Sequence, residues 1–394
     1  MMTNRTECKK RIECLKKRLT ELQLDGALYI YPIDVFYFTA TRQNAALWIP
    51  SDGEPVLFVR KSFVRAEEEA GIDDIRQFPR NKEFGTLIPG QRIGMTFDVI
   101  PIQQFHYYQS ILPNREFVDI TQVHRETRSL KSEWELERMR HSGVQLSRVF
   151  ASMIDYIRPG IRELDIAAEF EMRLRRIGGE GFVRMRAFNQ ELFMGLTVSG
   201  KNAAAGGFFD GAATGVGLSN AAAHGASESI IGRHQPIMLD YTGIFDGYIV
   251  DMTRMYVCGQ LADHFHHAFE IARTIQDRIA EQLKPGTRCS DLYEQASALA
   301  SDAGLAGNFM GPPGEQAGFV GHGVGLELDE YPVLAPNFDV PLQLGQTIAV
   351  EPKFTFAGQG IVGIENTYAV TEQGGEKISV LGDELMTIDE DVVV

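Results

Sequence analysis

PIMLDYTGIFDGYIVDMTRMYV, residues 236–257, alternates β-branched, aromatic and small residues around a turn near Phe245 and Asp246, and so reads as a hairpin. If the turn is centred there, Asp240 and Asp251 are equidistant from it and face each other across the ladder. Cross-strand neighbours stand about 4.5–5.5 Å apart at Cβ, where like charges are destabilising. The surrounding residues are apolar, which makes two ionised carboxylates costlier still. A bound cation removes the penalty.

The construction recurs in TIAVEPKFTFAGQGIVGIENTYAV, residues 347–370. Its AGQG is the turn, centred near Gly358, and Glu351 and Glu365 are then opposed. Between the hairpins, GHGVGLELDEYP (residues 321–332) places His322 between two glycines that let the backbone pass close to something. A single acid in a strand ordinarily faces solvent, and a lone histidine is ordinarily a satisfied core residue. Two opposed acid pairs with a histidine between them favour a metal site. Four carboxylates and one imidazole suit one or two divalent ions such as Mn²⁺, Co²⁺, Fe²⁺ or Zn²⁺. With two ions about 3.5–4 Å apart, a bridging water becomes a hydroxide nucleophile.

Composition narrows the setting. A chain of 394 residues with 44% hydrophobic and 10% aromatic residues is expected to bury two cores. Its net charge of −15 argues against nucleic acid and anionic membrane as partners. The N-terminus, MMTNRTECKKRIECLKKRL, has no apolar segment of signal type, and no stretch reaches the ~18 apolar residues of a membrane span. Cys8, Cys14, Cys258 and Cys289 lack zinc-cluster spacing, and a reduced, cytoplasmic protein is expected.

Residues 7–24 read as an amphipathic helix with Ile12, Leu15, Leu19 and Leu22 on one face. The apolar runs GALYIYP, NAALWIP, EPVLFV and QRIGMTF follow as strands, giving an α/β N-terminal domain assigned to residues 1–130. RSLKSEWELERMR is the join, with Ser132 and Glu135 as a capping box. Helices are expected to about Ile157, over 162–176, 264–283 and 290–303, with strands over 235–258 and 345–380. Residues 131–394 thus form an α+β domain.

At these residues the chain resembles the pita-bread metallopeptidases: methionine aminopeptidase, aminopeptidase P and prolidase, with creatinase as a relative that works without metal. The pattern D-x10-D-x-T-R is met by Asp240, Asp251, Thr253 and Arg254. GHGVGL carries His322, VEP carries Glu351 and GIEN carries Glu365. The resemblance implies a creatinase/prolidase-like N-terminal domain before a pita-bread catalytic domain, two divalent metal ions, and commonly a homodimer. It also implies that Asp251 and Glu365 bridge the ions, Asp240 completes one site, His322 and Glu351 complete the other, and Glu351 carries a proton to the leaving amine. The implied reaction is hydrolysis near a free N-terminus, at an Xaa-Pro bond, by a bridging metal-bound hydroxide.

Three positions depart from the family. Asp329 stands where aminopeptidase P and prolidase carry a second histidine. An ionised carboxylate there repels an oxyanion and attracts a cationic group, so Asp329 is expected to alter substrate choice. Gly363 stands where many relatives place an arginine. AAAGGFFDGAATGVGLSN, residues 203–220, looks like an insertion, and His224 after it is taken as the substrate-binding histidine, against the alternative of an ordinary loop histidine.

Other motifs carry less. GLTVSGKN ends in Asn202, where a phosphate loop needs a hydroxyl. His264, His266 and His267 read as the exposed first turn of a helix with Asp263 as N-cap. Two rival functions stand beside the peptidase: a metal-dependent lyase or other non-peptide hydrolase on the same cage, and a binding protein without catalysis. The substrate is accordingly a peptide or another small molecule.

Overall fold

The structure, a computed structural model, describes residues 2–186 and 192–389. The described residues divide into two compact units, one of residues 2–128 with Arg186 and one of residues 129–185 with 192–389.

In the first unit, α1 (Met2–Glu21) buries Cys8, Ile12, Leu15 and Leu19, spaced so that they share one face. The helix ends at Glu21, so Leu22, expected on that face, falls beyond it and is 41% exposed. The four apolar runs become β1 (Gly26–Tyr29), β2 (Ala45–Pro50) and β3 (Val56–Val59), and, further along, the strand Arg92–Met95. Two strands went unforeseen, β4 (Asp74–Gln77) and, past Arg92–Met95 (β5), β6 (Glu116–Asp119). They are the sheet's edges, in the order β4-β3-β2-β1-β5-β6, and edge strands covered on fewer sides need no apolar run. The parallel pairs β3–β4 and β5–β6 are joined through α3 (Phe63–Glu69) and α5 (Ile102–Ile111), as parallel strands require. Between them come α2 (Pro32–Thr39) and α4 (Asn81–Leu87), and α6 (Thr121–Ser129) closes the unit.

The second unit begins with α7 (Glu133–Ser152), capped by the Ser132–Glu135 box in both directions, and α8 (Glu163–Arg176). After β7 (Gly195–Ser199) and the single turn α9 (Gly200–Ala203) come the long strands β8 (Ile237–Phe245) and β9 (Tyr248–Cys258). Two helices follow, α10 (Asp263–Gln282) and α11 (Cys289–Asp302). Asp263 is the first helical residue rather than the cap, which is Ala262, and His264, His266 and His267 are exposed. The remaining strands are β10 (Gly321–Gly323), β11 (Glu330–Leu334), β12 (Thr347–Val350), β13 (Lys353–Phe356), β14 (Gly360–Gly363), β15 (Glu365–Thr371), β16 (Gly374–Lys377) and β17 (Met386–Ile388). Among the described residues the main sheet runs β11-β10-β12-β15-β9-β8-β7, with β16 and β17 added beside β15 and β9.

One face of this sheet is closed by α7 and α8. Tyr241 stacks on Phe170 of α8 with ring centroids 4.0 Å apart, and an added Cβ at Gly243 would come within 2.8 Å of Leu146 Cβ. Alternation then points Asp240 and Thr242 to the other face.

The register differs from expectation by one position of the turn. Asp246 and Gly247 both have left-handed φ, 51° and 81°, and form a two-residue loop closed by Phe245 and Tyr248. Such a loop matches the twist of its strands. Asp240 therefore faces Thr253 and Asp251 faces Thr242, and the two acids are diagonal rather than opposed. Moving the turn centre by one residue shifts partners by two, so both acids keep the same face. The Glu351–Glu365 register holds: Val350 pairs Asn366 on one side and Lys353 pairs Gly363 on the other, which leaves the two glutamates opposite each other.

Because Gly247 requires left-handed backbone, Gly247→Val is expected to cost about 1–2 kcal/mol, whereas Asp246→Gly is near neutral. Thermal unfolding of the two variants checks this, and equal losses would refute the turn assignment.

Candidate metal centre

Two rows cross the open face of the sheet. Pairing of β10, β12, β15, β9 and β8 aligns His322, Ala349, Thr367, Asp251 and Thr242. Two residues along, Glu351, Glu365, Thr253 and Asp240 form the neighbouring row. Pro352, which has no N–H, interrupts the ladder between β12 and β13 and lets Glu351 stand in the second row. All five expected residues thus line one cleft.

Three of them converge. Asp251, His322 and Glu365 offer ligand atoms all within 4.8 Å of one another. His322 Nε2 lies 3.6 Å from Glu351 Oε1 and 3.9 Å from Glu365 Oε1. Glu365 Oε1 is buried with no hydrogen-bond partner, while its Oε2 accepts from the Thr253 hydroxyl at 2.9 Å. A buried carboxylate oxygen left bare beside an imidazole and a second carboxylate is what a cation satisfies. His322 Nδ1 sits 3.2 Å from both the Gly323 carbonyl and Asp329 Oδ1. Those acceptors favour the proton on Nδ1 and leave the Nε2 lone pair toward the carboxylates, the usual outer support of a metal-binding histidine.

Burial is the main cause that raises the pKa of Asp240, Asp251 and Glu365, and neighbouring carboxylates add to it. Opposing them is a residue that sequence reasoning passed over. Lys353, only 1% exposed, places Nζ 3.1 Å from Asp240 Oδ2, 2.5 Å from Glu351 Oε2 and 3.0 Å from Glu365 Oε2. Burial disfavours its charge, but these three acids outweigh burial and hold its pKa well above the usual lysine value. The signal for it was its position two residues after Glu351, on the same face of the strand. His322 is likewise raised, because Asp329, Glu351 and Glu365 overcome the burial that works against its charge.

His224 lines the same cleft, buried, with Nδ1 unpartnered. Burial lowers its pKa, and Asp240 only partly offsets this, so the ring is held neutral. Phe209, from the 203–220 stretch, packs against it at 5.5 Å, and that stretch forms one wall of the cleft. Its anchor is Glu163, buried, which accepts from the N–H and hydroxyl of Ser199, Asn202 Nδ2 and the N–H and hydroxyl of Ser227. Ser199 and Asn202 of the phosphate-loop lookalike are thereby committed to Glu163. Arg254 points to the helix face, donating to the carbonyls of Thr253, Glu365, Leu381 and Gly382 and to Asn366 Oδ1. Burial pushes the thiols of Cys258 and Cys289 up, to about 11 and about 12, which suits packing and not nucleophiles.

Comparison with known proteins agrees with this geometry. The model of metallopeptidase family M24 matches residues 137–372, and that of the creatinase/prolidase N-terminal domain matches residues 11–130. An Xaa-Pro dipeptidase of Pyrococcus furiosus is 25% identical over 383 residues, covering 96% of this chain and all of the relative. In structure the chain is similar to the Xaa-Pro dipeptidase from Bacillus anthracis, with a TM-score of 0.82 at 22% identity, covering 97% of this chain and 100% of the other. It is also similar to X-Pro aminopeptidase from Thermotoga maritima, with a TM-score of 0.79 at 22% identity, covering 96% and 99%. The architecture is a creatinase-like N-terminal domain followed by a pita-bread domain.

The raised pKa of Asp251 means that, without an ion, the folded chain holds this proton more tightly than the unfolded chain does. The group then favours the fold below the ordinary carboxylate pKa and loses that contribution as pH rises through its folded pKa. Asp251→Asn, which carries no charge, is expected to melt higher than the wild type in chelator, with the gap widening from about pH 5 to about pH 8. A gap that stays constant across that range would count against the electrostatic reading.

Proposed function

The chain belongs to metallopeptidase family M24, and we propose that it is a metal-dependent peptidase cleaving the Xaa-Pro bond next to a free N-terminus. The observation that carries this reading is the convergence of Asp251, His322 and the bare Oε1 of Glu365 at the foot of a cleft. These residues fit a divalent ion in number and type. When bound, the ion supplies Lewis-acid polarisation of a carbonyl and acidifies a coordinated water. Xaa-Pro specificity rests on the relatives' activity.

The chain's own groups have separable tasks. Asp329 and the Gly323 carbonyl orient His322. Glu351, whose Oε1 faces His322 and whose Oε2 faces Lys353, takes up a proton and returns it to the departing amine. His224, held neutral, donates a hydrogen bond to the substrate carbonyl. Asp329, 37% exposed at its side chain, gives the cleft a negative rim that attracts a cationic group. A lyase or non-peptide hydrolase on the same cage is the second reading, favoured by Lys353 and Asp329 as charges among the reacting groups.

A peptide-library digest read by mass spectrometry, with Mn²⁺, Co²⁺ or Zn²⁺ restored after chelation, tests the proposal. Release of the first residue from Xaa-Pro peptides is expected, with loss in chelator. No cleavage by metal-loaded protein would sink the peptidase reading and leave the lyase. Glu351→Gln and His224→Ala should each lower kcat/KM by about 10²-fold or more. Asp329 has φ of 57°, which asparagine also tolerates, so Asp329→Asn isolates its charge. An altered preference among first residues is expected, and an unchanged profile would remove Asp329 from substrate choice.

A further inference from the structure

We propose that Lys353 supplies, from within the cage, the charge a second metal ion would bring, so that the centre holds one divalent ion and one ammonium. This rests on the metal-dependent reading above. The ammonium nitrogen already stands among Asp240 Oδ2, Glu351 Oε2 and Glu365 Oε2, at 3.1, 2.5 and 3.0 Å. An ion shared by those oxygens needs distances of about 2.0–2.2 Å, and so needs the space the ammonium fills. The carboxylate lone pairs it would need are also the ones that accept from Nζ.

The ammonium has nowhere else to go. Lys353 is 1% exposed, its residue pairs with Gly363 across β13 and β14, and its carbonyl accepts from the Met310 N–H at 2.9 Å. Its stem lies over Gly363, where an added Cβ would come within 2.5 Å of Lys353 Cγ. Lys353 Cα and the Pro352 carbonyl oxygen each stand 2.8 Å from the same position, so glycine at 363 is required by the backbone as well as by the lysine stem. With the ammonium in place, Asp251, His322 and Glu365 still offer ligand atoms within 4.8 Å of one another, enough for one ion.

Charge favours the same arrangement. Four ionised carboxylates, one ammonium and one divalent ion leave a net −1, whereas a second ion brings the cluster to +1 and crowds three cations together. In a site shielded from water that repulsion is far larger than in bulk.

Metal content separates the outcomes. Chelator-stripped wild-type protein is titrated with Mn²⁺, desalted and measured by native mass spectrometry, with the spin signal recorded alongside. One ion per chain is expected, with no exchange coupling between manganese centres. Lys353→Met, which keeps the stem and removes the charge, is expected to take two. Two ions in the wild type would overturn the proposal and leave the metallopeptidase reading standing, while none would overturn both. A folded Lys353→Met that still takes one ion would also overturn it. If that variant does not fold, the wild-type stoichiometry decides alone.

Discussion

Carboxylates that share a water-poor face repel one another, and the second unit is arranged around that repulsion. Asp240, Asp251, Glu351 and Glu365 sit on adjacent strands of a sheet whose far side is closed by α7 and α8. Removing such groups from water costs several kcal/mol each unless they are paired. The raised pKa values at Asp240, Asp251 and Glu365 express that cost. Positive charge at the centre relieves that cost, and Lys353 is the part of it that the chain provides itself.

The rest of the architecture fixes where that charge can sit. A two-residue loop at Asp246–Gly247 sets which rows Asp240 and Asp251 occupy. Glu351 and Lys353, on either side of Pro352, present inward from the same chain segment because alternate residues of a strand share a face. Arg254 locks the opposite face by tying β9 to β15 and to the chain at Leu381–Gly382. Glu163, reached from three segments at once, holds the wall that carries His224. The first two are set by the backbone, whereas Arg254 and Glu163 act through buried side-chain hydrogen bonds.

Much of this was legible in the sequence. Acidic residues placed symmetrically about glycine turns inside apolar strands have few explanations other than a site, and the five residues did reach one cleft. Period-two alternation also protected the reading against error, since a misplaced turn centre moved Asp240's partner from Asp251 to Thr253 without turning either acid away. The edge strands β4 and β6 were not legible, because strands with one free side carry no apolar run. Glu163 was invisible because its five donors come from β7, α9 and the chain at Ser227, all distant in sequence, and a glutamate near a helix start is ordinarily a surface residue. Lys353 was not legible as part of the site because a strand lysine ordinarily faces solvent, whereas here it pairs with Gly363 and turns inward.

That pairing bears on how the centre divides its work. An ammonium and a divalent ion both neutralise carboxylates, yet they are not interchangeable. The ammonium donates hydrogen bonds and accepts no lone pair, so it can orient Asp240, Glu351 and Glu365 but cannot polarise a carbonyl as a Lewis acid or acidify a water. On the one-ion proposal, Lewis-acid chemistry belongs to the side where Asp251, His322 and Glu365 meet. Glu351 stands at the boundary, one oxygen toward the imidazole and the other held by Lys353.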